Sequence, residues 1–150
     1  VSHISECQLV IADLEVLDLA CADLSRRLGR TVELKRDVPT YRWYGRWVGD
    51  TPMPAGLSES DLGMCDHRIE VDGCRYDVGV CQRTDGVPGY SLRYDWWSSG
   101  GLSKALGGNE LPELLLAINR ADIQRTYGDR YTFEERVLPN GDVELVAMEG

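Results

Sequence analysis

The sequence predicts a single α+β domain: an antiparallel-rich sheet of about six or seven strands with two main helices packed on one face, in the order βαβ-βββ-α-ββ. Three observations lead there. Alternating polar and apolar residues dominate from Cys65 to Trp97, two stretches beginning at Asp13 and Asn109 carry apolar residues at three-four spacing, and Asp72-Gly73 and Asn140-Gly141 signal tight turns between neighbouring strands. With 150 residues, 43% of them hydrophobic, the chain is long enough for one buried core.

Taken in order, His3 to Ile11 reads as a strand with Cys7, Leu9 and Ile11 on one face. In the helix that follows, Asp13 is placed as the cap, Leu14, Leu17, Cys21, Leu24 and Leu28 form the apolar stripe, and Gly29 supplies a left-handed stop. Thr31 to Arg36 alternates as a second strand, ended by Asp37 and Pro39, and Thr51 to Gly63 reads as an exposed connection or flap. Asp72-Gly73 predicts a two-residue turn with positive φ at both positions. That turn pairs Val71 with Cys74, Glu70 with Arg75 and Arg68 with Asp77, and gathers Ile69, Val71, Tyr76, Val78 and Val80 on the other face.

Thr84 to Gly89 turns the chain into the alternating Tyr90 to Trp97, and the glycine-rich Ser98 to Gly108 reads as a mobile loop. Asn109 then caps a helix running to Tyr127, with Pro112 in its first turn and Leu111, Leu114, Leu115 and Ile118 on its buried face. Leu116 widens that apolar arc. The closing hairpin is predicted to turn through a three-residue loop, Pro139 and Asn140 in a type I turn and Gly141 left-handed, pairing Val137 with Val143 and Arg136 with Glu144. Tyr131, Phe133, Val137, Val143, Leu145 and Ala147 then share an inner face, with Glu135 among them.

Sixteen Lys and Arg against twenty-five Asp and Glu give a net charge of −9, which excludes an extended nucleic-acid surface. From Arg26 to Trp47, however, seven basic and two acidic residues make a stretch of +5, so the remainder carries −14 and a local anion site is allowed. No apolar run approaches the ~20 residues of a membrane helix. The N-terminus lacks the order of a signal peptide, and five cysteines without a framework of short spacings suit reduced thiols, so the chain is expected to be cytoplasmic and off the membrane.

Cys65, His67, Cys74 and Cys81, with His3 and Cys7, offer soft metal ligands, but no C-x-x-C is present. The predicted register sets Cys81 on the face opposite Cys65 and puts Cys74 roughly 13 Å from His67. Cys21, Cys65 and Cys74 are therefore read as core and His67 as a satisfied core histidine, with no metal and no cofactor, the one alternative being a site at Cys65 and His67 completed by His3. Cys81, on the polar face, has nothing nearby in sequence to lower its pKa, and no nucleophile, base and orienting group assemble. Gly100-Gly101-Leu102-Ser103-Lys104 departs from the phosphate-loop pattern, although Lys104 beside a helix start is a place for an anion. The most distinctive segment is Tyr41 to Trp47, where Tyr41, Trp43, Tyr44 and Trp47 interleave with Arg42 and Arg46; its aromatics are either core or a stacking pocket.

Tyr76-Asp77-Val78-Gly79-Val80, Arg93-Tyr94-Asp95-Trp96-Trp97, Tyr131-Thr132-Phe133-Glu134-Glu135 and Asn140-Gly141-Asp142-Val143-Glu144-Leu145-Val146, with the Ser2-His3 start and the Asp13-Leu14-Glu15 helix, resemble the domain-of-unknown-function twelve-fifty-seven family. The plastid member of that family is the hypothetical chloroplast reading frame thirty-five. The resemblance spans both ends and the middle but leaves out Pro39 to Gly63 and Ser98 to Gly108, which read as insertions. It implies a small cytoplasmic α+β protein and carries no catalytic residues.

The leading expectation is a non-enzymatic binding module that encloses a small anionic, nucleotide-like ligand. Tyr41, Trp43, Tyr44 or Trp47 would stack on it, Arg42, Arg46 or Arg93 would neutralise it, Trp97 would complete the pocket, and Ser98 to Gly108 with Lys104 would form a lid. The competing expectation is a protein-interaction adaptor, self-associating through the same aromatics and the Leu111 to Leu116 surface.

Overall fold

The computed structural model describes residues 2–49, 51–128 and 131–149, the last stretch without the side chains of Tyr131, Thr132, Phe133, Leu145, Ala147, Met148 and Glu149. Strand β1 (Ile4–Gln8) leads into helix α1 (Leu14–Leu28), where the Asp13 carboxylate accepts the Glu15 N–H and Gly29 closes the helix at φ 66°. Both local signals act as the sequence predicts. Strands β2 (Val32–Lys35), β3 (His67–Val71), β4 (Val78–Gln82) and β5 (Tyr90–Asp95) follow, then the short helix α2 (Leu102–Ala105), helix α3 (Pro112–Tyr127) and the hairpin β6 (Tyr131–Val137) and β7 (Val143–Glu149).

The expected sheet of six or seven strands is two sheets. Five strands pair antiparallel in the order β1-β5-β4-β3-β2, and β6-β7 stands apart. The outward edge of β2 is already occupied: Ser25 Oγ accepts the Val32 N–H at 2.9 Å and lies 3.1 Å from the Val32 carbonyl. A plugged edge admits no further strand. The terminal hairpin instead joins α1 and α3 through Glu135, whose Oε1 lies 2.7 Å from Arg120 and 3.3 Å from Arg27. Its register is the predicted one, Val137 opposite Val143 with Gly141 at φ 88°. Of the expected inner face, Val137 and Val143 are exposed, and the side chains of Tyr131, Phe133, Leu145 and Ala147 lie outside the described residues.

Leu17 and Leu24 of α1 and Leu114 and Ile118 of α3 pack on Ile69, Val71, Val78, Val80 and Leu92 of the sheet, as two helices on one face require. The β3–β4 register differs from expectation by two residues, Ile69 pairing with Val78. The turn itself is present, with Cys74 N–H donating to Val71 O, but only Gly73 has positive φ. Beyond it the chain leaves β3, because the Arg75 and Tyr76 N–H groups donate to Gly100 O and Asp77 N–H donates to Arg42 O. An even slip preserves the faces, so Ile69, Val71, Tyr76, Val78 and Val80 are all buried. The expected Glu70–Arg75 pair is replaced by Arg68 Nε to Glu70 at 2.8 Å.

The segment read as a mobile lid, Ser98 to Gly108, is built into the core. Leu102 and Leu106 are fully buried, and Gly100 lies so close to the Tyr76 ring that a Cβ would stand 1.9 Å from it. Asn109 does not cap α3; its side chain accepts from Ser103, while Leu111 at φ 51° occupies the cap position and the Glu113 N–H donates to Leu106 O. Leu111 and Leu114 are core, which leaves only the half-buried Leu115 and Leu116 of the expected leucine interface.

Candidate functional site

The second face of the sheet is covered over β4 and β5, although Glu33 and Lys35 of β2 stay exposed on it, and this cover is the main departure from the sequence reading. Residues 38–49 and 51–66 cross that part of it as a strap. The strap is closed on itself by Tyr41 N–H to Gly63 O, Cys65 N–H to Pro39 O and a bridge between Thr40 and Met64. Gly79 permits the crossing, since a Cβ there would stand 2.4 Å from the Tyr41 ring. Ile4, Tyr41, Leu62 and Cys81 are buried outside the main core cluster.

Two fully buried carboxylates fasten the 41–47 segment. Asp77 accepts the Arg42 N–H at 2.8 Å and the Arg42 guanidinium at 2.9 Å. Asp95 accepts the N–H groups of His3, Tyr44 and Trp97 at 3.0, 3.1 and 3.0 Å. A further tie is Ser2 Oγ donating to Arg46 O.

The nine residues expected to bind ligand are therefore spread out. Tyr41 is core, 3% exposed, and Arg42 is spent on Asp77. Trp43 is half-buried over Gly63, Tyr44 and Arg46 are exposed, and Trp47 is half-buried. Trp97 and Trp96 close around His3, whose ring stacks on Trp96 at 4.3 Å and meets Trp97 at 5.1 Å. Lys104 is exposed on α2. Arg93, directly across the β1–β5 ladder from Glu6, bonds its carboxylate through Nε at 2.7 Å, both side chains being nearly buried. Of the nine, the structure brings Tyr41 and Arg93 together.

They meet beneath a cleft of about 270 Å³ between the strap and β4–β5, lined by Asp61, Cys65, Asp66, Cys81, Gln82 and Arg93 among others. Among the described residues the Arg93 terminal amino groups bind no protein acceptor, its one hydrogen bond leaving through Nε. The Tyr41 hydroxyl is buried with no acceptor for its proton. Cys81, Arg93 and Cys65, all lining the cleft, are the ionisable groups around that phenol. Comparison with protein-family models, curated proteins and solved structures finds no match to the chain.

Cys65 and Cys81 share this cleft rather than opposite faces, because Met64 to Asp66 leave the β3 alternation to pair with the start of the strap. Their thiols face the Val38 and Met64 carbonyls at 3.1 and 3.4 Å. Burial pushes Cys65 up to about 12 and Cys81 to about 11, so neither is a thiolate nucleophile at neutral pH. His67 is satisfied, its Nδ1 accepting the Asp37 N–H at 2.9 Å. Among the described residues no group of three or more His, Cys, Asp or Glu could hold a metal ion, and no helix is long and apolar enough to cross a membrane.

The raised groups set an alkaline limit. Burial pushes the Tyr41 phenol up to about 12, whereas the unfolded phenol and thiol ionise near 10.0 and 9.0. Above those values the unfolded state releases protons that the folded state keeps. Stability is thus full below about pH 9 and falls as pH rises, by about 1.4 kcal/mol per pH unit for each group until its folded pKa is reached. Urea midpoints measured from pH 7 to 11 are expected to decline from about pH 9, and less steeply in Cys81→Ser.

A second cleft, about 480 Å³, lies beyond Arg42 and is lined by Glu33, Glu70 and Asp72. Glu33 stands directly opposite Glu70 in the β2–β3 ladder, so this cleft is acidic with its one lining arginine already neutralised by Asp77. It is a poor seat for an anion.

The sequence reading missed Asp61, Asp66 and Gln82 as cleft residues. One signal was available: Gly79 and Cys81 alternate with Val78 and Val80 where a solvated face would carry charge. A central strand without polar residues on either face is covered on both.

Proposed function

We propose that the protein is a non-enzymatic binding module whose site is the cleft over β4 and β5, taking a small ligand by an anionic oxygen group. The carrying observation is Arg93, which lines the cleft with its terminal amino groups unspent, while the Tyr41 hydroxyl lies buried beneath with no acceptor. A buried hydroxyl without an acceptor costs about 1–3 kcal/mol, and a ligand oxygen drawn down beside Arg93 would lower that cost only if the cleft opens toward Tyr41. The nearby guanidinium adds a charge-assisted pair. The five free thiols support residence in a reducing compartment. The family resemblance implies no catalytic residues, so the reading rests on the cleft.

Calorimetry with acetate, inorganic phosphate, a nucleoside monophosphate and the standard amino acids tests it. At least one probe is expected to bind, at least tenfold more weakly to Arg93→Met and several-fold more weakly to Tyr41→Phe, which keeps the ring on Gly79. The reading fails if no probe binds or if both variants bind as tightly as the parent.

A second reading, an interaction adaptor, is favoured by one feature. Tyr44 and Val48 are each 40% exposed beside Arg46, on a strap held from below by Asp77 and Asp95. Pre-organised Tyr and Arg are common interface anchors. Self-association in sedimentation that is lost in Tyr44→Ser supports it.

A further inference from the structure

We infer that the ligand of this cleft is a zwitterion of amino-acid type, its carboxylate on the Arg93 terminal amino groups and its ammonium on Asp61 and Asp66. The inference rests on the cleft being the binding site and adds the class of molecule. The charges decide it. Arg93 is the one basic residue lining the cleft and already has Glu6 at 2.7 Å, while Asp61 and Asp66 also line it. The thiols of Cys65 and Cys81 remain neutral and face backbone carbonyls. The wall is thus net negative around a positive floor. A polyphosphate meets repulsion there, which moves the ligand away from the nucleotide class.

A bare cation would be drawn to the rim but would leave the Arg93 terminal amino groups without an acceptor. A bare carboxylate would satisfy Arg93 but stand against two acids. A molecule carrying both charges answers each group. The acids are positioned for it: Asp61 Oδ2 is held by the Ser58 N–H and hydroxyl at 2.8 and 3.1 Å, and Asp66 Oδ2 by the Gln82 N–H at 2.7 Å. In each carboxylate this leaves Oδ1 for an ammonium. Those Ser58 hydrogen bonds also hold Asp61 below the usual carboxylate range, so it is charged at neutral pH. About 270 Å³ is below the ~300–1,000 Å³ of drug-sized pockets and suits a molecule of amino-acid size.

The test is calorimetry on the intact chain at pH 7 with matched probes: alanine and the other standard amino acids, propionate, which lacks the amine, ethylamine, which lacks the carboxylate, and inorganic phosphate. At least one amino acid is expected to bind at least tenfold more tightly than propionate, ethylamine and phosphate. Asp66→Asn, which keeps an oxygen for the Gln82 N–H, is expected to weaken amino-acid binding at least fivefold while leaving propionate unchanged or tighter. Asp61→Asn is expected to act in the same direction, and thermal melts check that both variants fold. If propionate or phosphate binds as tightly as every amino acid, or if both variants bind amino acids as the parent does, the inference is overturned while the cleft stands as an anion site. If no probe binds, the inference and the binding reading fall together, and the cleft holds water only.

Discussion

Asp95→Ala is expected to lower the stability of the fold by about 3 kcal/mol or more, an unusually large effect for a residue outside the apolar core. The Asp95 side chain is 0% exposed and its two oxygens take three backbone N–H groups, from His3, Tyr44 and Trp97. Each belongs to a different part of the structure: the lead into β1, the strap, and the exit from β5. Alanine leaves all three donors without an acceptor, at about 1–3 kcal/mol for each one that water does not reach. Asp95→Asn keeps Oδ1 for His3 and Trp97 but turns an amide N–H₂ toward the Tyr44 N–H, so about half the loss is expected. Urea unfolding followed by tryptophan fluorescence measures both, since Trp96 and Trp97 are sequence neighbours of Asp95 and close around His3. A change under about 0.5 kcal/mol in Asp95→Ala would mean that the strap is held by something else.

The same carboxylate marks where reading the sequence stops. Alternation places Arg93 and Asp95 on the polar side of β5 and Asp77 on the polar side of its hairpin, and that placement is right. Period-two patterning says which residues share a face; it does not say whether a polar face meets water or another part of the chain. Here 38–49 and 51–66 cover it over β4 and β5. Asp77, read as the partner of Arg68, does lie 4.0 Å from Arg68 Nε but chiefly fastens Arg42, and Asp95 fastens Tyr44. Of the arginines counted as free charge for a ligand, Arg42 is held by Asp77, and Arg93 is held by Glu6 through Nε, which leaves only its terminal amino groups.

Local signals were legible where their partners are local. Asp13 and Gly29 bound α1 from within a few residues, and Pro139-Asn140-Gly141 sets the terminal register without help from elsewhere. Glu135, misplaced on an apolar face by pattern alone, is explained once Arg27 and Arg120 are seen to meet it across 108 and 15 residues of chain. The Asp72-Gly73 turn failed for the opposite reason. Its strands are drawn off by Arg42 and Gly100, each over twenty residues away, so the two-residue loop expected from sequence opens into a longer one. In the candidate site, Tyr41 and Arg93 were legible as residue types. The acids that give the cleft its sign come from the strap turn and the β3 approach, which no spacing rule links to β5.

The second large effect is expected in the glycine-rich segment. Leu106→Ala is expected to cost about 2–5 kcal/mol, the range for truncating a fully buried leucine, whereas a lid residue would cost almost nothing. Four glycines within 98–108 suggested mobility, but glycine also permits close approach, and Gly100 and Gly101 are used that way, against Tyr76 and Cys74. That contact drops Leu102 and Leu106 into the core at 0% exposure. Leu106 has a second task, because its carbonyl accepts the Glu113 N–H and so supplies α3 with the end-cap that Asn109 does not. Alanine keeps that carbonyl, so the measured loss reports packing alone. Lys104→Ala, on the exposed side of the same helix, is expected to stay within about 0.5 kcal/mol. Hydrogen exchange separates the two views independently: the Ala105 and Leu106 amides, bonded to Gly101 O and Leu102 O, are expected to exchange as slowly as those of α1. Rapid exchange there with an unchanged urea midpoint in Leu106→Ala would return the segment to the role of a lid.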